Sequence, residues 1–125
     1  MDLNQVTLAT NVFDESVAFY QKLGLTLIVL AEGRYARFEL PAGHATLSLH
    51  ATETPATGST VLYFEVADVD QRYDDLRAAG IVFDSPPTSE PWLWREARFR
   101  DPGGAQLCLF TAGENRLSPP WRLET

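Results

Sequence analysis

The sequence predicts an α+β fold made of two tandem βαβββ units, and two observations support this prediction. First, residues 5–25, QVTLATNVFDESVAFYQKLGL, align without a gap with residues 61–81, VLYFEVADVDQRYDDLRAAGI. Second, each stretch has a β-rich run, then apolar residues at helical spacing, then a glycine, Gly24 or Gly80. Each stretch therefore reads as a strand, a short helix and a glycine stop.

The ends of both helices are predicted from matching residues. Asp14 and Asp70 are expected to be N-caps, because a carboxylate can accept the unpaired N–H groups of a first helical turn. Gly24 and Gly80 should end the helices, where a positive φ is needed. The predicted buried faces are Phe13, Val17 and Tyr20 in the first helix, and Val69, Tyr73 and Leu76 in the second.

The remaining elements follow from β-rich runs separated by turn residues. The first unit is assigned to residues 1–54, with strands at 3–10, 25–30, 34–40 and 44–50. Residues 51–59, ATETPATGS, have the composition of a linker. The second unit is assigned to residues 55–112, with a helix at 69–79 and strands at 61–66, 81–84, 94–100 and 105–110. The tail, residues 113–125, is predicted to be irregular.

Composition narrows the function classes. The net charge of −7 argues against nucleic-acid and anionic membrane partners, since these require a basic surface, and it suits neutral or cationic small ligands better. The start of the chain has no basic or apolar leader, so a cytoplasmic location is expected. Cys108 is the single cysteine and cannot form an internal disulfide.

Two motifs carry a family resemblance that covers most of the chain. One contains Asp14, Phe19, Tyr20, Leu23 and Gly24, and the other is the Asp-Pro-Gly-Gly turn at residues 101–104. With the tandem βαβββ plan, they resemble the vicinal oxygen chelate superfamily, which includes glyoxalase I, the bleomycin-resistance proteins and the extradiol dioxygenases. The resemblance implies a curled, cup-shaped mixed sheet with helices on the convex side, a ligand against the concave faces, and a homodimer, sometimes with exchanged units.

The resemblance also implies where a metal would be held in the metal-dependent branches. The matching positions in this chain are Gln5, Ser48, Val61 and Cys108. Only Gln5 is a ligand of the family type, and valine cannot coordinate an ion. We therefore expect no metal and no cofactor. A non-family set of His50, Glu65 and Cys108 stays open as an alternative.

Strand alternation adds residues to the positions that the resemblance implies, and with two tryptophans of a proline-bounded segment they form a candidate ligand-binding set. It mixes apolar and polar side chains, as small-molecule sites do. Tyr63 and Phe110 could equally be core residues, and Glu65 could bind a basic ligand group or pair with an arginine. Trp92 and Trp94 would lie on one side of the chain if this segment is extended. They could then form a stacking surface for a flat aromatic ligand, a dimer interface, or a lid over the apolar core. The set is Gln5, Thr7, Ser48, His50, Tyr63, Glu65, Trp92, Trp94, Cys108 and Phe110.

The predicted function is binding of an amphipathic or aromatic small molecule without a metal, as in bleomycin-resistance-type proteins. No catalytic residue is assigned, Cys108 is expected to be a small buried residue, and Arg98 and Arg100 are expected to be solvated. Two alternatives stay open. One is a glyoxalase-like lyase, isomerase or dioxygenase with an atypical metal ligand set. The other is a regulatory or assembly module whose concave face is filled by its own tail through Trp121.

Overall fold

A computed structural model of the chain describes residues 1–55 and 58–124. The chain folds into two compact units. Unit 1 comprises Met1–Thr60 and Arg100–Ala105, and unit 2 comprises Val61–Phe99 and Gln106–Thr125. The predicted linker includes Ala56 and Thr57, and the predicted tail ends at Thr125; these three residues lie outside the described residues.

The order of elements confirms the α+β class and the repeated βαβββ plan. In the first half of the chain the elements are β1 Gln5–Thr10, α1 Phe13–Leu23, β2 Thr26–Ala31, β3 Tyr35–Glu39 and β4 Thr46–Ala51. In the second half they are β5 Val61–Glu65, α2 Val69–Ala78, β6 Thr88–Ser89, β7 Arg95–Arg100 and β8 Gln106–Thr111, followed by a single 3₁₀ turn at Gly113–Asn115.

The two sheets have the same topology. Their strand orders are β1-β4-β3-β2 and β5-β8-β7-β6. In each sheet the first and last strands are neighbours and run parallel, with Thr7 opposite Ser48 in one and Tyr63 opposite Cys108 in the other. Ser48 and Cys108 therefore occupy equivalent positions in the two sheets.

The core of unit 1 lies between one face of its sheet and α1. Tyr20, Phe38 and Leu49 are among its most completely buried side chains. The predicted helix face is correct for Phe13 and Tyr20, whereas Val17 is only half-buried and Ser16 is buried. Ser16 lies inside because its hydroxyl forms a 2.7 Å hydrogen bond with the Thr10 hydroxyl, which satisfies both polar groups.

The Asp-Pro-Gly-Gly turn between β7 and β8 belongs to unit 1. The Tyr20 hydroxyl donates to Asp101 Oδ2 at 2.6 Å, and the Ala105 backbone N–H donates to Asp101 Oδ1 at 2.8 Å. A Cβ atom on Gly103 would lie 2.9 Å from Thr10 Oγ1. The turn therefore requires an acceptor at its first position and a residue without a side chain at its third.

In unit 2 the corresponding core lies between α2 and its sheet. The predicted face, Val69, Tyr73 and Leu76, is buried. The Tyr73 ring lies 4.8 Å from the Phe83 ring, which lies 4.7 Å from the Phe99 ring. These rings fill the space under the helix.

The predicted N-caps are wrong, whereas the glycine stops are confirmed. The N-cap of α2 is Asp68, whose carboxylate accepts the Gln71 backbone N–H at 3.1 Å, and the N-cap residue of α1 is Val12, which has no side-chain cap bond. Asp14 and Asp70 therefore lie inside the first turns, where a carboxylate still interacts favourably with the helix dipole. The glycines that end α1 and α2 have φ values of 107° and 100°.

The strand predicted at residues 81–84 is also wrong. Only Phe83 forms a bridge there, with Phe99, and the edge strand is the two-residue β6 instead. Pro86 and Pro87 separate the two segments. Because proline has no N–H to donate to a ladder, the chain cannot continue as one regular strand.

No helix in residues 1–55 or 58–124 has the length and apolar character needed to cross a membrane.

Candidate functional site

Unit 1 carries a connected polar surface on the side of its sheet away from α1, formed by Gln5, Thr7, Tyr35, Arg37 and Ser48, which we term the polar face. Gln5 Nε2 donates to Ser48 Oγ at 2.8 Å and to Thr7 Oγ1 at 3.3 Å. A 2.7 Å hydrogen bond joins Ser48 to the Tyr35 hydroxyl, which also accepts from Arg37 Nε at 2.9 Å. The sheet therefore brings together three predicted residues, Gln5, Thr7 and Ser48.

Hydrogen bonds within the polar face occupy the groups that a metal would need. The Gln5 amide oxygen accepts from the Thr46 hydroxyl, while its nitrogen donates to Ser48. The hydrogen bond with Ser48, and secondarily Arg37, lowers the pKa of the Tyr35 phenol below its ordinary value. His50 lies on the same strand as Ser48, opposite Tyr35 in register, and is exposed.

Unit 2 carries a cluster of three rings, Tyr63, Trp94 and Phe110, which we term the aromatic face. Trp94 and Phe110 are stacked, with ring centroids 4.6 Å apart and an interplanar angle of 21°. Tyr63 meets both rings edge-on, at 5.8 and 5.7 Å. Phe110 is buried, Trp94 is half-buried and Tyr63 is 46% exposed, so the cluster runs from the core to the surface.

An ion pair adjoins the aromatic face. Arg98 donates from Nε and Nη2 to Glu96 Oε1, at 3.2 and 2.9 Å, and from Nη2 to the Tyr63 hydroxyl at 3.2 Å. Its guanidinium carbon lies 5.4 Å from the centre of the Tyr63 ring, a cation–π arrangement. Glu96 is only 5% exposed, and its Oε2 has no hydrogen-bond partner among the described residues.

Cys108 is fully buried beside this ion pair. Burial, together with the neighbouring Glu96 carboxylate, raises the pKa of its thiol to about 12. The thiol therefore stays protonated at neutral pH. A protonated, buried thiol is a poor nucleophile.

Glu65 faces the C-terminal segment of unit 2. Its carboxylate accepts from Arg116 Nε at 3.2 Å and from the backbone N–H groups of Ala112 and Gly113, both at 3.3 Å. Of the two roles considered for Glu65, the geometry supports pairing with an arginine.

The two tryptophans do not form a common surface. Their predicted alignment required an extended segment, but Trp92 lies in a turn and Leu93 has a φ of 67°. Trp94 joins the aromatic face, and its indole N–H donates to the Asn115 carbonyl at 3.3 Å. Trp92 lies outside that cluster and is 43% exposed.

The residues at the implied metal positions do not fit a metal. Gln5 and Ser48 are hydrogen-bonded to each other, Val61 has no donor atom, and Cys108 is fully buried. In the part of the chain that the structure describes, no group of three or more His, Cys, Asp or Glu side chains is arranged to hold an ion. Within unit 2, Glu65 of the alternative set is paired with Arg116, and Cys108 is fully buried.

Sequence reasoning missed four residues of these faces. Tyr35 and Arg37 complete the polar face, and Glu96 and Arg98 adjoin the aromatic face. The expectation that Arg98 is simply solvated is wrong, because it pairs with Glu96 and Tyr63. The sequence does indicate Glu96 and Arg98, because Trp94, Glu96 and Arg98 are spaced two residues apart in the strand predicted at 94–100 and therefore lie on the same face of the sheet.

Comparisons with known proteins agree with this architecture. The chain is 35% identical over 119 residues to an uncharacterized Bacillus subtilis protein, YraH, covering 82% of this chain and 91% of that protein. It is similar to a solved glyoxalase/bleomycin resistance protein/dioxygenase from Nocardioides, at 32% identity and a TM-score of 0.73, covering 90% of this chain and 83% of that one. A lactoylglutathione lyase from Agrobacterium tumefaciens has a TM-score of 0.74 at 19% identity, covering 98% and 97% of the two chains, a likeness of fold alone.

The family profile of the glyoxalase/bleomycin resistance protein/dioxygenase superfamily matches residues 2–109, almost the whole length of the two βαβββ repeats. The chain belongs to this superfamily.

Proposed function

We propose that the chain is a metal-independent small-molecule-binding protein of the bleomycin-resistance type, and that it takes an amphipathic or aromatic ligand on the aromatic face of unit 2. The observation that carries this proposal is the Tyr63–Trp94–Phe110 cluster, because its outer ring is 46% exposed while both inner rings are packed against it. An exposed large aromatic side chain, held in place by other rings, is a ready stacking surface.

Rigidity supports the binding role. Tyr63 touches two rings edge-on and its hydroxyl accepts from Arg98, so its ring orientation is fixed before a ligand arrives. Less side-chain entropy is then lost on binding than with a free surface tyrosine. Superfamily members bind small molecules and are often dimers, and we propose a small ligand and a homodimer for this chain as well.

Metal independence is supported by the chemistry of the positions discussed above. A catalytic divalent ion needs about three protein donors and an open position. Valine and a fully buried cysteine stand at two of the implied positions, and the remaining two side chains are hydrogen-bonded to each other.

A thermal-shift screen with planar aromatic and amphipathic compounds tests the proposal, run in chelator and again with added Zn²⁺, Mn²⁺ or Mg²⁺. A ligand should raise the melting temperature equally in all buffers, since binding to the native state stabilises it by mass action. Tyr63→Leu should remove most of the shift. Trp121→Leu is the control, because Trp121 is also an exposed ring but lies outside the aromatic face.

Two outcomes would contradict the proposal. The first is the finding that protein purified without chelator holds about one tightly bound divalent ion per chain and that ligand binding requires this ion. That result would favour the alternative of a lyase, isomerase or dioxygenase. The other is ligand binding that Tyr63→Leu leaves unchanged.

A further inference from the structure

Arg98 beside the aromatic face has hydrogen-bonding capacity that the protein does not use. A guanidinium carries five N–H donors. The Nε and Nη2 groups of Arg98 are directed to Glu96 and Tyr63, and Nη1 donates to no group in the described part of the chain. The Arg98 side chain is 39% exposed, so it is accessible from outside.

The remaining contacts hold this guanidinium in place. Glu96 is buried and anchors two of its nitrogens through one oxygen, and the Tyr63 ring lies under its plane at 5.4 Å. A planar donor fixed on three sides is pre-organised, so that a ligand would not have to order it. Arg98 therefore holds a guanidinium with an unused donor beside the exposed Tyr63 ring.

We propose that Arg98 Nη1 donates a hydrogen bond to a carbonyl-type oxygen of an uncharged planar aromatic ligand that stacks on the aromatic face. This assignment rests on the proposed function, and it names the ligand class: a conjugated ring carrying a neutral acceptor oxygen.

Charge decides between a neutral and an anionic acceptor. The positive charge of Arg98 is already paired with the Glu96 carboxylate at 2.9 Å, and the chain as a whole carries a net charge of −7. A ligand carboxylate would gain little from a guanidinium whose charge is already paired, and it would be repelled by the net negative charge of the protein. Its own dehydration would cost further free energy. A carbonyl oxygen needs only the free N–H and avoids both costs.

A pair of probes with nearly the same shape tests the assignment. In 2-acetylnaphthalene the side group has a C=O, and in 2-isopropenylnaphthalene a C=CH₂ replaces it. By titration calorimetry the native protein should bind the acetyl compound about tenfold more tightly, the effect of one hydrogen bond to a charged donor. The infrared carbonyl stretch of the acetyl compound should move to lower frequency on binding.

Arg98→Met should equalise the two affinities and abolish the infrared shift, because methionine keeps an apolar stem without the donor. Since this change leaves the buried Glu96 carboxylate unpaired, the double variant Arg98→Met with Glu96→Gln is made in parallel, to preserve folding. Arg77→Met is the matched control, because Arg77 also lies over a tyrosine ring, that of Tyr73, at 5.3 Å. It should keep the native ratio.

The outcomes separate this inference from the proposed function. Equal affinity of the two probes for the native protein, or a preference that survives in the double variant, would overturn the role of Arg98 and leave binding on the aromatic face standing. Binding of neither probe would overturn the ligand class named here, whereas the proposed function is decided by the thermal-shift screen and by Tyr63→Leu. A third probe, 2-naphthoate, tests the charge argument: binding about tenfold tighter than the acetyl compound would overturn the assignment of an uncharged acceptor.

Discussion

The hydrogen bond between Tyr20 and Asp101 should be a principal stabilising contact of unit 1. Both side chains are buried, the donor–acceptor distance is 2.6 Å, and the acceptor lies in the turn between β7 and β8. Tyr20→Phe removes the donor and retains the ring, which contacts Phe19 and Phe38 at 5.1 and 5.8 Å. Because the buried carboxylate then loses one of its partners, the free energy of unfolding should fall by about 1.5–3 kcal/mol at pH 7.

The pH dependence gives this prediction a signature. Burial, and secondarily Asp101, raise the pKa of Tyr20 above its ordinary value of 10.0. A group whose folded pKa is raised contributes stability that is fully present below its unfolded pKa and is lost above it. The gap between wild type and Tyr20→Phe should therefore be constant up to about pH 9, and should narrow above pH 10 by about 1.4 kcal/mol per pH unit.

Urea denaturation followed by circular dichroism, at pH values from 7 to 11, measures both effects. Tyr73→Phe is the control, because Tyr73 is a largely buried helix tyrosine whose hydroxyl has no hydrogen bond in the described part of the chain. It should change the unfolding free energy by less than about 0.5 kcal/mol. A loss of similar size in both variants, or a gap for Tyr20→Phe that does not narrow in alkali, would refute the reasoning.

Three further changes test other contacts. Asp68→Ala should cost about 1 kcal/mol in unfolding free energy by urea denaturation, because it removes the α2 cap, whereas Asp14→Ala, with no cap bond to lose, should cost less than half as much. Gly103→Ala should cost about 1–3 kcal/mol in the same assay, because its Cβ would press against Thr10; a neutral result would show that the turn relaxes freely. Cys108 should react with a disulfide reagent at pH 8 at least about tenfold more slowly in the folded protein than in urea, because burial blocks access and raises the thiol pKa; equal rates would contradict its burial.

Much of the fold could be predicted because the repeat encodes it twice. Gly24 and Gly80 align in the two copies, and both have the positive φ that was expected of them. The N-caps could not be predicted from the repeat in this way. Asp14 and Asp70 are identical in the aligned copies, but the N-cap position holds Val12 in one copy and Asp68 in the other. A repeat therefore predicts shared geometry better than it predicts features that differ between the copies.

The candidate site could be predicted only in part. The resemblance groups Gln5 with Ser48, and strand alternation groups Tyr63 with Phe110; the members of each pair are in contact. Alternation places Arg98 on the same face as Glu96, but it does not indicate the contact with Tyr63, which is 35 positions away on another strand. Alternation predicts on which face of the sheet a side chain lies. Which side chains then touch depends on the order of the strands in the sheet, and alternation does not give that order.

The register of the two sheets explains why equivalent positions now have different chemistry. Ser48 and Cys108 stand opposite Thr7 and Tyr63 on matching strands. In unit 1 the position belongs to a chain of hydrogen bonds, so a polar side chain is stabilised there. In unit 2 it lies under the aromatic rings, where desolvation of a polar group would cost free energy and a small, protonated thiol is buried at little cost. Unit 2 thus surrounds this position with an apolar, aromatic cluster, and the Arg98–Glu96 ion pair lies beside it.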